Sequence, residues 1–392
     1  MKRSLLYAAI LGFVGFVTSF GAHIVAVNLP TYAAAVGIGL AMIGVLIAVY
    51  DFAEIIAKPV FGAVADRQGM KRTMLAGIAV FTVASLLYLF IDPRLLIVVR
   101  FLQGVGAAAL SAVSVALVGV YYIENRGRAY GIYNALKGAG YVIAPITGGL
   151  IIAKANFSAI FLATAAIGVV AFLISLPLPE PAATPAGALD DDDDFSWAGF
   201  FSVFREPRLL PWFAVTVVNM FFVGILFGFL PVQIHALGYG PVQSGVLLTV
   251  VAASYLLIQP LVGYLADKVN AAPTIRLGLL AAGISIILVP FVNGAALVIV
   301  SIIAGIGVGT VWTNTDTLVS GLAKEGKMGA TMGAAGSFKE LGDMVGPLLI
   351  GVVSQAFGLP VGFVACGVLG LLSLLLIRRT TSTPPPNRAT GT

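Results

Sequence analysis

Three ionisable residues in one long apolar stretch, Asp51, Glu54 and Lys58, stand at positions that a helix gathers on a single face. On a 100° step they fall at about 0°, 300° and 340°, so they project together. Glu54 and Lys58, four apart, can pair along the helix. That leaves Asp51, or the Asp51–Glu54 couple, as the group placed to take up a proton. A static charge cluster that braces neighbouring helices is the other reading of the same spacing.

A second set stands near the other end of the chain, where Lys339 and Asp343 are four apart and Glu340 is adjacent to the lysine. Lys339 and Asp343 are spaced to pair, and one of the two carboxylates is left without an intrahelical partner. Arg100, Lys137 and Asp316 complete nine charges within apolar stretches, five negative and four positive. Each costs at least ~2.5 kcal/mol at a bilayer centre unless it faces water or a partner. Lys137 and Lys339 can attract an anion together, or each can neutralise a carboxylate. Asp316 lies in the polar run Trp312 to Asp316 and is the second-half residue placed to contact a substrate. Arg100 stays charged at any relevant pH and can steady a carboxylate in one conformation and release it in another. His23 is of the type that exchanges protons near neutral pH, although a histidine bonded within its own helix is the plainer alternative.

Several classes of function are not expected. The one cysteine, Cys366, allows neither an intrachain disulfide nor a thiolate metal cluster. No nucleophile–base pair stands out, and no Gly-x-x-x-x-Gly-Lys-Ser/Thr loop is present for nucleotide hydrolysis. An enzyme, a metal site and a cofactor are therefore not expected, and an ion gradient is left as the source of energy.

The elements that position these charges follow from composition. Of 392 residues 59% are hydrophobic and 10% charged, against about 25% charged in soluble domains. Runs of the ~20 apolar residues that cross ~30 Å of hydrocarbon recur between short polar breaks. A β-barrel would instead show alternating segments of ~10 residues. Twelve spans are expected, at 5–29, 40–62, 73–91, 95–121, 130–153, 157–178, 209–234, 242–265, 273–292, 295–321, 329–354 and 358–377. An even number puts both termini on one side. Sixteen lysines and arginines fall on that side and only Arg94 and Lys154 on the other, which predicts cytoplasmic termini in a prokaryotic-type inner or plasma membrane. The net charge of +5 is thereby a matter of topology, not of nucleic acid.

The chain is one unit written twice. Pro59, Gly62 and Asp66 recur as Pro260, Gly263 and Asp267, each 201 residues on; Lys137, Gly140, Pro145 and Gly149 recur as Lys339, Gly342, Pro347 and Gly351, 202 on. The expected fold is an all-α membrane protein of two pseudo-symmetric six-helix bundles, 1–178 and 209–378. Between them, 179–208 reads as a cytoplasmic linker carrying Asp190 to Asp194 and a short interfacial helix with Trp197, Phe200, Phe201 and Phe204 on one stripe. Residues 379–392 read as a loose tail. A parallel duplication joined this way is the architecture of two rocking bundles around a site near the midplane.

Three motifs now carry a resemblance. Gly62-x-x-x-Asp66-Arg67-x-Gly69-x-Lys71-Arg72 resembles the loop 2–3 signature of the major facilitator superfamily. Arg100-x-x-Gln103-Gly104-x-Gly106 is similar to that family's conserved-arginine motif, which is associated with proton coupling. Gly140-x-x-x-Ala144-Pro145-x-x-Gly148-Gly149 resembles the antiporter signature of its drug-efflux branch, with Ala144 where a glycine is usual. The resemblance implies a monomeric secondary transporter that exports a small organic compound in exchange for protons by alternating access. The residues' own chemistry assigns Asp51, Glu54, Arg100 and Asp343 to proton coupling, with the resemblance supporting Arg100, and Lys137, Lys339, Glu340, Asp316, Lys58 and His23 to the substrate. Gly62 would allow close helix approach, while Asp66, with Arg67, Gly69, Lys71 and Arg72, would brace the cytoplasmic gate against the start of span eleven near Gly329. Pro145 with Gly140, Gly148 and Gly149 would permit bending. Two rival readings are a transporter of an anionic metabolite using Lys137 and Lys339, and a non-transporting membrane sensor.

The second-half echo of the gate keeps Asp267 but lacks the basic cluster. Asp66→Asn is therefore expected to reduce transport more than Asp267→Asn, as initial rates in vesicles at matched protein levels will show.

Overall fold

The computed structural model describes residues 5–35, 37–122, 126–181, 206–266, 271–322 and 328–375. The acidic run, the aromatic stripe from Trp197 to Phe204, Asp267, the tail and the side chain of Asp66 lie outside what is described. The described chain forms twelve α-helices: α1 (Leu6–Ala35), α2 (Leu40–Gln68), α3 (Met70–Leu87), α4 (Leu96–Tyr121), α5 (Arg126–Lys154), α6 (Phe157–Ser175), α7 (Leu210–Ala236), α8 (Pro241–Ala266), α9 (Ala271–Leu288), α10 (Gly294–Leu322), α11 (Met328–Phe357) and α12 (Leu359–Leu372). Ten are both long and apolar enough to cross a membrane. Of the other two, α11 is long but carries Lys339, Glu340 and Asp343, and α12 is apolar with 14 residues.

Local chemistry sets the breaks. Gly69 takes φ 102°, a backbone region that strains any L side chain, and this lets it end α2 and begin α3 with no intervening residue. That is a physical reason for the second glycine of the loop signature. Asn156 caps α6 by accepting from the Ala159 amide at 3.1 Å.

Helices α1–α6 pack into one bundle and α7–α12 into another, with α1 against α5 and α3 against α4 mirrored by α7 against α11 and α9 against α10. The bundles meet along α2 with α11 and α5 with α8, and α1 also touches α7. Glycines build these seams. A Cβ at Gly44 of α2 would stand 3.3 Å from the Leu348 Cα and closer still to the Pro347 carbonyl of α11; one at Gly351 of α11 would stand 2.9 Å from the Leu40 carbonyl of α2. The other seam repeats this. A Cβ at Gly245 of α8 would meet the Pro145 carbonyl at 2.5 Å, and one at Gly149 of α5 would meet Pro241 and stand 3.3 Å from the Val242 Cα. Gly44 and Gly245 are repeat mates, as are Gly149 and Gly351, so two seams related by the duplication are closed by the same device.

All four contacts lie toward the face opposite the one where α1 begins, here called the distal face; the face of α1's start is the proximal one. Two expectations are corrected. A Cβ at Gly62, in the proximal part of α2, would meet nothing within 4 Å among the described residues, so no close approach by Gly62 is seen among them. Helices α5 and α11 run unbroken through Pro145 and Pro347, and the surrounding glycines serve contact: Gly140 lies against Phe16, Ser19 and Phe20 of α1, Gly148 against Ile24 and Asn28, and Gly149 against α8. The glycines recur in the duplication where backbones meet in this arrangement.

A Cβ at Gly39 would lie 2.8 Å from the Gln355 side chain at the distal end of the α2–α11 seam. With Cys366 replaced by serine, Gly39→Cys paired with Gln355→Cys is expected to cross-link efficiently in membranes with a short thiol-reactive linker. A pair that stays unlinked contradicts closure of this face.

Candidate substrate and proton site

The charges on α2 and α11 meet across the bundle interface. The Lys58 ammonium donates to Glu54 on its own helix and to Glu340 Oε1 of α11 at 2.5 Å. The expected Glu54–Lys58 pair is thus present, and Glu340 shares it. The side chains keep 30%, 9% and 23% of their exposure for Lys58, Glu54 and Glu340, so the trio sits at the edge of an interior space and is partly screened.

On α11 the outcome differs from the i,i+4 expectation. Lys339 bonds Asp316 Oδ2 of α10 at 2.7 Å and lies 4.9 Å from the centre of the Trp312 ring. Trp312 and Asp316 are one turn apart on α10, so together they present a ring face and a carboxylate to the same ammonium. Asp343, the partner expected for Lys339, is left out, and its Oδ1 is buried without a hydrogen-bond partner among the described residues. Asp51 forms no ion pair among them either. The expected facing pair of ammonium groups also changes, since Lys339 is satisfied while its repeat mate Lys137, part-buried on α5, has no ion-pair partner among the described residues.

Arg100 makes no ion pair among the described residues, and it stands close enough to Asp51 for its charge to bear on that carboxylate. It is buried, donates through Nε to the Leu46 carbonyl at 3.2 Å and through a terminal nitrogen to Gln103 Oε1 at 2.9 Å, and lies 4.4 Å from the Tyr50 ring centre. Tyr88 donates to the same Gln103 oxygen at 3.1 Å, and the Gln103 amide reaches Ser85 Oγ at 3.2 Å. Neutral oxygens and a ring therefore hold this cation and tie α2, α3 and α4 together next to Asp51. The helix that carries the arginine also explains the glycines of its motif, since Gly104 packs on Tyr50 and Ala53 of α2 and Gly106 on Phe81 of α3.

An aromatic chain crosses between the bundles at the same depth. His23 Nδ1 lies 2.9 Å from the Ser19 carbonyl. A carbonyl only accepts, so Nδ1 carries the hydrogen and Nε2 remains an acceptor in the neutral ring. The imidazole meets Tyr141 at 4.3 Å and Phe227 at 5.2 Å edge-on; Tyr255 stands 6.2 Å from Tyr141 and 6.5 Å from Phe227 and stacks on Trp312 at 5.9 Å. Tyr141 and Tyr255 were not singled out from sequence. The repeat held the signal: Tyr255 is the mate of Glu54 and Tyr141 the mate of Asp343. The duplication places carboxylates on the α2–α11 side and phenols at the equivalent points of α5–α8.

The side chain of Asp66 lies outside what is described, and the loop between α2 and α3 makes contacts within its own bundle. Glu180 Oε1, just after α6, accepts from the Lys71 amide at 3.0 Å, and Lys71 Nζ donates to the Leu176 carbonyl at 2.5 Å. Lys71 thus fastens the end of α6 within its own bundle, while Arg67 and Arg72 are exposed.

Lys58 is the cation that two carboxylates share, so Lys58→Met leaves Glu54 and Glu340 facing each other. A loss of roughly 1–3 kcal/mol is expected, below the 3–5 of a fully buried pair because the trio is partly exposed. Thermal unfolding in detergent measures it, and Glu340→Gln added to Lys58→Met is expected to recover part of the loss.

The Major Facilitator Superfamily profile matches residues 11–245 and 213–392. Among curated proteins, the uncharacterised transporter YebQ of Escherichia coli is 25% identical over 79% of this chain and 80% of its own length. The multidrug resistance protein Stp of Mycobacterium tuberculosis is 23% identical over 91% of this chain and 77% of its own. Among solved structures, a bacterial homologue of the human lysosomal transporter Spinster superposes with a TM-score of 0.85 at 16% identity, covering 97% of this chain and 98% of that one. With its two bundles of six, duplicated seams and the profile match over nearly its whole length, the chain belongs to the major facilitator superfamily of membrane transporters.

Proposed function

We propose that this transporter exports a small organic compound in exchange for protons, with Asp343 and Asp51 as the groups that alternate between proton and substrate. The observation that carries this is the unpartnered, buried Oδ1 of Asp343. Every other acidic side chain of the central cluster except Asp51 has a lysine, so these two are the carboxylates with free valence. They stand on α11 and α2, the helices that form one of the two seams. A proton at this place removes charge from an apolar interior, and a basic substrate group offers the same relief. The two compete, and competition for one site is what exchange requires.

Sidedness follows from the charge distribution of the loops. With cytoplasmic termini, the closed distal face is the outer one, and the site is reached from the cytoplasm, where an exporter loads. Relatives named for multidrug resistance and, over 29% of this chain at 37% identity, for methylenomycin A resistance in Bacillus subtilis support export over uptake. The working unit is a monomer, since one chain supplies both bundles and both seams. The rival of a non-transporting sensor requires Asp51 and Asp343 to be dispensable.

In proteoliposomes, Asp343→Asn and Asp51→Asn are each expected to lower pH-gradient-driven substrate flux at least about tenfold, equivalent to ~1.4 kcal/mol. Unchanged gradient-driven flux in both variants would sink the proposal.

A further inference from the structure

We infer that the compound carried is an aromatic zwitterion, whose acidic group is received by Lys137 and whose basic group is received by the Asp343–Asp51 side of the cavity. The inference rests on the cavity being the substrate site proposed above, and it deepens that reading by naming what both walls recognise.

The starting point is a broken symmetry. Lys137 and Lys339 are repeat mates, yet only Lys339 has the partners a buried ammonium needs, Asp316 at 2.7 Å and the Trp312 ring at 4.9 Å. At the positions equivalent to Asp316 and Trp312 the first half has Val115 and Ser111. Lys137 is therefore part-buried with no ion-pair partner among the described residues. A cation in that position draws an anion from outside the chain. Because Lys339 is already satisfied, the anion-binding capacity is one lysine, enough for one acidic group on a larger molecule.

On α2 and α11 the imbalance is reversed. Glu54 and Glu340 share Lys58, Asp316 has Lys339, and Asp343 Oδ1 is buried with nothing to accept from. A plain anion would satisfy Lys137 and leave this side empty, and a plain cation would do the reverse. A molecule with both charges satisfies both walls at once.

The space between them is aromatic. Tyr141 is one turn from Lys137 on α5, about 6 Å along the axis. His23, Phe227 and Tyr255 continue the surface to the second bundle. Rings in edge and offset contact present faces that pack a flat aromatic frame. The frame sets the distance between the two charged groups, and the walls set their signs.

The two ends then have different duties. The basic group and the proton exclude one another at Asp343 and Asp51, so that end couples transport. The acidic group meets Lys137, which takes no part in the exchange, so that end sets affinity and selects the substrate.

A matched pair of probes tests this. A xanthene dye bearing a free benzoate and an ammonium-type nitrogen is compared with its methyl ester, which keeps the ring and the positive charge. Binding to the full-length purified protein is read by fluorescence polarisation, and flux is read in proteoliposomes. Wild type is expected to prefer the carboxylate dye. Lys137→Gln is expected to weaken that dye about tenfold, the scale of one charge-assisted contact, and to leave the ester within about twofold, which also shows that the variant is folded. Lys137→Arg is expected to restore the preference. Equal effects on the two dyes, no effect on either, or a wild type that binds neither overturn the inference. Carboxylate-selective binding through Lys137 with flux indifferent to a pH gradient leaves it standing and refutes proton exchange instead.

Discussion

A charge inside an apolar slab must be answered by another charge or by water, and in this chain the answer is given across the line where two bundles meet. Lys58 is the clearest case. Its ammonium belongs to the first bundle, one of its carboxylates to the same helix and the other to α11 of the second. Paired charges of this kind contribute little net stability compared with well-packed apolar residues, because desolvation offsets the attraction. Their consequence is positional. If the bundles part instead on the distal side, Glu340 leaves Lys58 or carries it along, and Glu54 remains as the internal alternative. The trio can therefore redistribute its contacts between two arrangements without stranding a cation.

The glycine seams impose a complementary constraint. Gly44, Gly149, Gly245 and Gly351 let backbones touch where any side chain would collide, and each sits beside a proline-bearing or helix-starting segment of the partner. Contacts this close are made between surfaces that either fit or part, and such interfaces switch in steps rather than bend by degrees. The same helices that form the α2–α11 seam hold Asp51, Glu54, Lys58, Glu340 and Asp343 a few turns further on. Charge state in the middle and contact at the distal end thus act on two rigid bodies in common.

Much of this was legible in the sequence. Apolar runs, basic-residue bias and the 201–202 repeat gave twelve helices and two bundles, and helical spacing gave the Glu54–Lys58 pair. Partners between helices were less accessible. Nothing in the spacing of Lys339 and Asp343 tells that a ring and a carboxylate on α10 would offer Lys339 a better site, because that choice is made by packing. Arg100 was likewise read for its charge, while the structure satisfies it with a carbonyl, an amide oxygen and a tyrosine ring. Gly62 was read for contact, but contact depends on which face is closed, and a sequence encodes both faces at once.

The repeat itself held more than its matches. Positions where the two halves agree, such as the seam glycines and the lysines of α5 and α11, describe the framework that lets the bundles meet as near mirror partners. Positions where they disagree describe the cavity. Glu54 faces its mate Tyr255 across the duplication and Asp343 faces Tyr141, so an acid on one wall is answered by a phenol on the other. A symmetric cavity would present like charge to like charge and could hold only symmetric cargo. Among the many positions where the halves diverge, these put carboxylates on α2 and α11 and phenols at the equivalent points of α8 and α5, which is the asymmetry the proposed two-ended cargo requires.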